Sequence, residues 1–141
     1  GWWNPYRADL KHTMYSTSKS FTSTAAGFAV SEGKLSVEDK VISFFPDQLP
    51  DTVSEYLAEL RVKDLLSMSV GQEPDPTFKV VVNDSNWVKS FFATPILKKP
   101  GTEFLYNTLA TYMVSAIVQK VTGEKVIDYL KPRLFDPLAI E

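Results

Sequence analysis

The sequence predicts a mainly α-helical chain with little sheet, on three observations. Five or six segments carry apolar residues at spacings of three and four, the period of a helix with one buried face. Only one run, residues 78–82 (Phe-Lys-Val-Val-Val), has the composition of a strand. One segment, residues 16–32, has Ser, Thr, Ala and Gly on most faces, which suits a central helix packed closely by its neighbours. With 141 residues, 44% of them hydrophobic, the chain can bury one good-sized core, and a single helical domain over 1–141 is expected.

Residues 1–14, with Trp2, Trp3, Pro5, Tyr6 and His12, read as an irregular approach to the first helix. That helix begins at Ser16, carries Phe21, Ala25 and Phe28 as an apolar stripe, and is closed by Gly33 at the left-handed position after its end. Its first half is poor in helix formers, so tertiary packing must hold it, and it is expected to be the most buried element. Ser36 reads as the N-cap of a short second helix, with Glu38 and Asp39 favourable in its first turn. Pro46 and Pro50 bracket a turn. Helical patterns follow through Val53, Tyr56, Leu57 and Leu60, then over 62–68 to a stop at Gly71. After the candidate strand, Asp84 or Ser85 caps a helix carrying Trp87, Val88, Phe91 and Phe92, ending before Pro95. Residues 98–101 form a turn. A helix over 108–122 buries Leu109, Tyr112, Met113, Ala116, Ile117 and Val121, with Gly123 as its cap. A last one carries Val126, Ile127 and Leu130 until Pro132 kinks or ends it. No repeat, low-complexity stretch or linker is present.

Composition removes several classes of function. A net charge of −2 without charge blocks gives no electrostatic case for nucleic acid or an anionic membrane. No apolar run approaches the length of a membrane span, and the first six residues lack a signal peptide's basic and apolar regions. Without cysteine there is no disulfide, thiol nucleophile or thiolate metal site, and a lone His12 does not build a metal centre. No cofactor, metal, nucleic acid or membrane partner is expected. His12 reads as structural.

The chemistry-bearing pattern is Ser16-Thr-Ser-Lys19 at a helix start. A spacing of three puts the lysine on the face of the serine, and helical side chains lean toward the N-terminus, so the amine reaches the hydroxyl. The helix dipole and burial both disfavour a charge on that lysine, and a neutral amine beside a serine is a general base. First-turn N–H groups lack intrahelical acceptors and face the place where an acyl oxyanion would form. Alone the motif is weak. With 13 serines and 12 lysines in 141 residues, about one such pair arises by chance, and a capping serine beside a solvated lysine is the bland alternative.

The surroundings of that pair are distinctive. Residues 12–27 (His-Thr-Met-Tyr-Ser-Thr-Ser-Lys-Ser-Phe-Thr-Ser-Thr-Ala-Ala-Gly), 32–41 (Glu-Gly-Lys-Leu-Ser-Val-Glu-Asp-Lys-Val) and 44–46 (Phe-Phe-Pro) are followed by 65–71 (Leu-Leu-Ser-Met-Ser-Val-Gly), 100–106 (Pro-Gly-Thr-Glu-Phe-Leu-Tyr), 121–123 (Val-Thr-Gly) and 135–138 (Phe-Asp-Pro-Leu). In order and spacing, nearly the whole chain resembles the serine β-lactamase and penicillin-binding-protein superfamily, in the branch of class C enzymes, D-Ala-D-Ala carboxypeptidases and related esterases and amide hydrolases. The resemblance implies Ser16 as the acylated nucleophile and Lys19 as its base partner. A second family motif, Tyr-x-Asn, corresponds to Tyr106-Asn107-Thr108. Tyr106 matches as a proton carrier, while the asparagine stands one position early, leaving Asn107 or Thr108 as doubtful substrate contacts. The segment ending at Gly71 lacks the histidine common in the family. The third motif, Lys-Thr-Gly or His-x-Gly, has no match, since Lys120-Val-Thr-Gly123 fits a helix end.

The implied fold is the helical portion of the β-lactamase/transpeptidase-like fold, α+β when complete, with most of the sheet missing from this chain and the strand that completes the oxyanion hole expected beyond Glu141. The implied activity is acyl-enzyme hydrolysis of a β-lactam, D-Ala-D-Ala-type peptide, ester or amide. The alternative is a non-catalytic helical fragment or binding module. The face meant for the sheet is expected to drive self-association. Cellular compartment is not readable from this sequence.

Overall fold

Seven α-helices order the described residues, 1–140, of the computed structural model: α1 (Ser18–Ser31), α2 (Glu55–Glu59), α3 (Val62–Leu66), α4 (Thr77–Asn83), α5 (Trp87–Ala93), α6 (Thr108–Thr122) and α7 (Val126–Leu130). Helix α6 is the hub and packs against α1, α3, α5 and α7. Asn107 caps its start, accepting from the Ala110 N–H at 3.1 Å. Gly123, at φ +76, ends it where a side chain would be strained. Between them Leu109, Ala110, Met113, Val114, Ile117 and Val118 are buried at helical spacing.

Helix α1 lies across α6 and buries only Ala25, Ala26 and Ala29, with Phe21 and Phe28 half-buried beside them. The expectation that the first helix is the most buried is therefore corrected: that element is α6. Small residues on α1 let the two helices approach closely, but they also leave a bare strip, with Ser16, Ser20, Ser23, Gly27 and Val30 all exposed. The helix ends as its sequence implies, with Gly33 at φ +69 and the Lys34 N–H bonded to Ala29 O at 2.9 Å.

Two sequence expectations fail for a common reason, the placement of backbone hydrogen bonds. Residues 36–39 form a turn rather than a helix. The Ser36 hydroxyl does accept from the Glu38 N–H, but Asp39 caps back onto the Ser36 N–H at 2.8 Å. The following backbone pairs outward, Val62 N–H to Asp39 O and Val41 N–H to Leu60 O, around a single antiparallel bridge between Lys40 and Arg61. A 3₁₀ turn, Val41–Phe44, follows.

The run 78–82 is helical, within α4, not a strand. No neighbouring strand is present among the described residues to pair with it, whereas a helix satisfies its amides internally, as in Val80 N–H to Pro76 O at 3.0 Å. The propensity penalty for its valines is only some tenths of a kcal/mol each. Of the five residues only Val80 is buried, and Phe78 and Val82 face outward.

Helix α5 is capped by Asn86, one residue beyond Ser85 and two beyond Asp84, the expected caps. Asp84 instead braces the cap, accepting from the Asn86 N–H at 3.1 Å and from the Ser90 hydroxyl. Beyond α7 the chain loosens into a π turn, Lys131–Phe135, with the Asp136 N–H reaching Lys131 O at 2.9 Å. Pro132 falls inside that turn, and Ile127, expected on the apolar face, is exposed.

Candidate active site

Ser16 sits in a 3₁₀ turn, Tyr15–Thr17, that runs directly into α1. The turn is held locally. Thr17 donates its N–H to Met14 O at 3.2 Å, and the Ser18 hydroxyl donates to Tyr15 O at 2.7 Å. Thr17 N–H is thus already paired with a carbonyl from before the helix and is not free to face an acyl oxygen. Tyr15 adopts φ +48, a conformation uncommon for a residue of its bulk, and its side chain stands in solvent.

Tyr106 reaches the same place from 90 residues away. It lies in an extended segment that hangs between the turn at 98–101 and the start of α6. The loop after α3 holds that segment from behind, through Leu97 N–H to Gly71 O at 2.8 Å, Gly101 N–H to Ser69 O at 2.8 Å and Leu105 N–H to Met68 O at 2.9 Å. Gly71 is required there. At φ +86, an added Cβ would lie 2.2 Å from Lys98 O.

The three side chains converge. Lys19 Nζ donates to Ser16 Oγ at 3.1 Å, and Ser16 Oγ shares a 2.6 Å hydrogen bond with the Tyr106 hydroxyl, in which either oxygen can donate. Lys19 Nζ also stands 5.2 Å from the Tyr106 ring centroid, within cation–π range. The hydrogen bond from Ser16, then that from Lys19, holds the Tyr106 phenol below its ordinary pKa, with Lys19's charge acting in the same direction. Ser16 and Tyr106 are exposed and Lys19 is half-buried, so a substrate can approach all three. A hollow of about 450 Å³ begins at Lys19 and runs between α1, α3 and α6, past Ser23, Leu65 and Thr111. A second hollow, about 520 Å³ between α4 and α5, touches none of the three.

Asn107, weighed as a substrate contact, does not face this cleft. It is 1% exposed, its Oδ1 caps α6, and its Nδ2 donates to Gln72 Oε1 at 3.0 Å. Thr108, half-buried in the first turn of α6, adds a minor lowering influence on the Tyr106 phenol. His12 stacks edge-on with Trp2 and Tyr6, at centroid distances of 5.4 and 5.5 Å. Gln72 was not singled out from the sequence. A polar residue in a loop carries no sign of burial, and only its partner Asn107 reveals it. Among the described residues no group of three or more His, Cys, Asp or Glu is placed to hold a metal ion, and no helix is long and apolar enough to cross a membrane.

The chain resembles known proteins in both sequence and fold. A protein of Escherichia coli strain K12 named "Putative D-alanyl-D-alanine carboxypeptidase" is 27% identical over 143 residues, covering 91% of this chain and 33% of its own. The chain spans about a third of the length of the curated relatives it matches. The D-amino acid amidase of Ochrobactrum anthropi SV3 superposes with a TM-score of 0.73 over 97% of this chain and 45% of that one, at 24% identity, a likeness of fold. The penicillin-binding protein homologue of Pyrococcus abyssi, described as octameric, superposes with a TM-score of 0.67 at 26% identity, over 88% of this chain and 30% of its own. The helices are therefore part of a β-lactamase/transpeptidase-like fold. A family model described as Beta-lactamase matches residues 1–141, end to end, and the chain belongs to that family.

Proposed function

We propose that the chain carries the acylation centre of a serine hydrolase, with Ser16 as nucleophile and Lys19 and Tyr106 as proton carriers. The observation that supports this reading most is the contact of one hydroxyl with both an amine and a phenol, at 3.1 and 2.6 Å. Ser16 Oγ attacks a carbonyl carbon while its proton passes to the Tyr106–Lys19 pair. That proton then goes to the departing nitrogen or oxygen as the bond to the carbonyl carbon breaks, leaving an ester on Ser16. Water, deprotonated by the same pair, releases the acyl group. A phenol held below its ordinary pKa beside a lysine suits this exchange, because it accepts and returns a proton near neutral pH more readily than a free tyrosine.

Substrates of this reading are amides, peptides, esters and β-lactams. The relatives' name, D-alanyl-D-alanine carboxypeptidase, favours peptides ending in D-alanine. Nitrocefin, p-nitrophenyl esters and D-Ala-D-Ala peptides presented to the full-length protein test it. Hydrolysis of at least one, lost in Ser16→Ala, is the expected result. Hydrolysis that survives Ser16→Ala would remove the nucleophile from the account. We also infer that the chain self-associates, through the bare strip of α1 and the exposed Trp2 and Trp3 near the entry to it. The octameric description of the Pyrococcus relative is in keeping with that.

A further inference from the structure

We propose that the buried amide pair Gln72–Asn107 is the positioning device for Tyr106, holding its phenol against Ser16. This inference rests on the reading of Tyr106 as a proton carrier. The Tyr106 side chain is 44% exposed, so packing of the ring does little to place its oxygen. The Ser16 hydrogen bond and the Lys19 contact hold the phenol at its tip, and the backbone that carries it is placed by the residues that flank it. On one side Leu105 N–H is tied to Met68 O at 2.9 Å. On the other stands Asn107, 1% exposed and engaged at both ends of its amide.

The polarity of the pair is fully determined. The Ala110 N–H needs an acceptor, which sets Asn107 Oδ1 toward α6. Asn107 Nδ2 must then face away and finds Gln72 Oε1 at 3.0 Å. Gln72 Nε2 is left to donate to Phe91 O at 3.0 Å and, more weakly, to Thr94 O at 3.4 Å. Turning either amide over would set carbonyl against carbonyl in a site without water access, which costs the full desolvation of the unpaired groups. The chain of bonds thus runs from the end of α5 through two buried side chains to the first turn of α6, and Tyr106 is the residue next to its last link. An N-cap alone asks only for an oxygen, and serine serves as well as asparagine. The Nδ2 half of Asn107 and the whole of Gln72 go beyond what a cap needs.

The experiment follows the Tyr106 phenol by NMR titration of [¹³Cζ]tyrosine-labelled full-length protein, assigned with Tyr106→Phe, in wild type, Asn107→Ser and Gln72→Met. Both substitutions are neutral. Serine keeps the cap and loses the link, while methionine matches glutamine in shape and leaves Asn107 intact. Wild-type Tyr106 is expected to titrate below the ordinary value of about 10, and in each variant to return to it. The rate of labelling by a fluorophosphonate should fall at least about tenfold in both, out of the ~10²–10⁴-fold a positioned proton carrier supplies. Its acidic limb should also move to higher pH, a displacement that a smaller folded fraction alone does not produce. Wild-type titration of Tyr106 in either folded variant overturns the proposal, and if one variant fails to fold the other decides. The titration needs no turnover, so a protein that proves not to be a hydrolase still answers the positioning question.

Discussion

Ser16 owes its reactivity in this account to two neighbours, and each makes a separate prediction. Lys19→Ala removes the amine 3.1 Å from Ser16 Oγ, and acylation should slow by about 10²–10⁴-fold, the usual loss with one proton carrier. Tyr106→Phe should cost a similar factor and abolish the acidic limb of the pH–rate profile. The sign follows from the phenol's direction of shift. Its pKa lies below 10, so the reactive phenolate gains population at lower pH than a free tyrosine would, and activity rises as pH climbs through that value. Stopped-flow acylation across pH measures both variants, and a Tyr106→Phe profile identical to wild type would exclude the phenol from the proton path. The Ser16–Lys19 contact was legible in the sequence as a spacing of three at a helix start, which brings the amine within reach of the hydroxyl, though only the surrounding resemblance set it apart from a solvated lysine. Tyr106 lies 90 residues away and is tied to Ser16 in sequence only by resemblance. The inward turn of Asn107 was not legible, since Gln72 sets it from a loop of no regular period.

At the scale of elements, the bounds of α6 were readable, because its apolar spacing and its closing glycine agree. Its Asn107 cap was not, and Tyr112, Ala116 and Val121, expected in the core, are half-buried while Ala110, Val114 and Val118 are buried instead. Runs 36–39 and 78–82 were misread where local composition was outweighed by what the backbone could pair with. The burial of α1 was overestimated because its small residues permit close approach on one side only. Two predictions belong here. Gly71→Ala drives a Cβ into Lys98 O at φ +86 and should destabilise the fold by more than ~1 kcal/mol, seen as a lowered unfolding midpoint. Arg133 clamps the end of α1 to the turn after α7 through Glu32, at 2.6 Å, with Lys34 on the other carboxylate oxygen at 2.7 Å. Those partners, Arg133 first, hold the Glu32 pKa at about 2, below its ordinary value of 4.5. Stabilisation from a depressed carboxylate is present above 4.5 and lost as pH falls from there toward 2. Thermal melts of Glu32→Gln should therefore show a weaker pH dependence than wild type in that window, and parallel curves would show that the clamp carries no stability.

For the whole molecule, the helices bury a continuous core around α6 yet leave aromatic surface in solvent, with Trp3 77%, Tyr15 82% and Phe104 72% exposed. Exposed apolar side chains of this kind are the basis on which we infer self-association. Light scattering on the 141-residue chain should report species larger than a monomer, and a monodisperse monomer would refute self-association. The helical character of the chain was legible from periodicity, because repeated spacings of three and four over most of its length admit little else. The packing order of the helices was not, since contacts such as α1 on α6 join residues about 90 apart and leave no local trace. The central claim is that Ser16 is acylated with help from Lys19 and Tyr106. Intact-mass analysis of the full-length protein after a fluorophosphonate, with peptide mapping, tests it most directly. The account predicts one adduct per chain, located on Ser16, absent from Ser16→Ala and much slower in Lys19→Ala. No adduct, or an adduct on another serine that persists in Ser16→Ala, would contradict it.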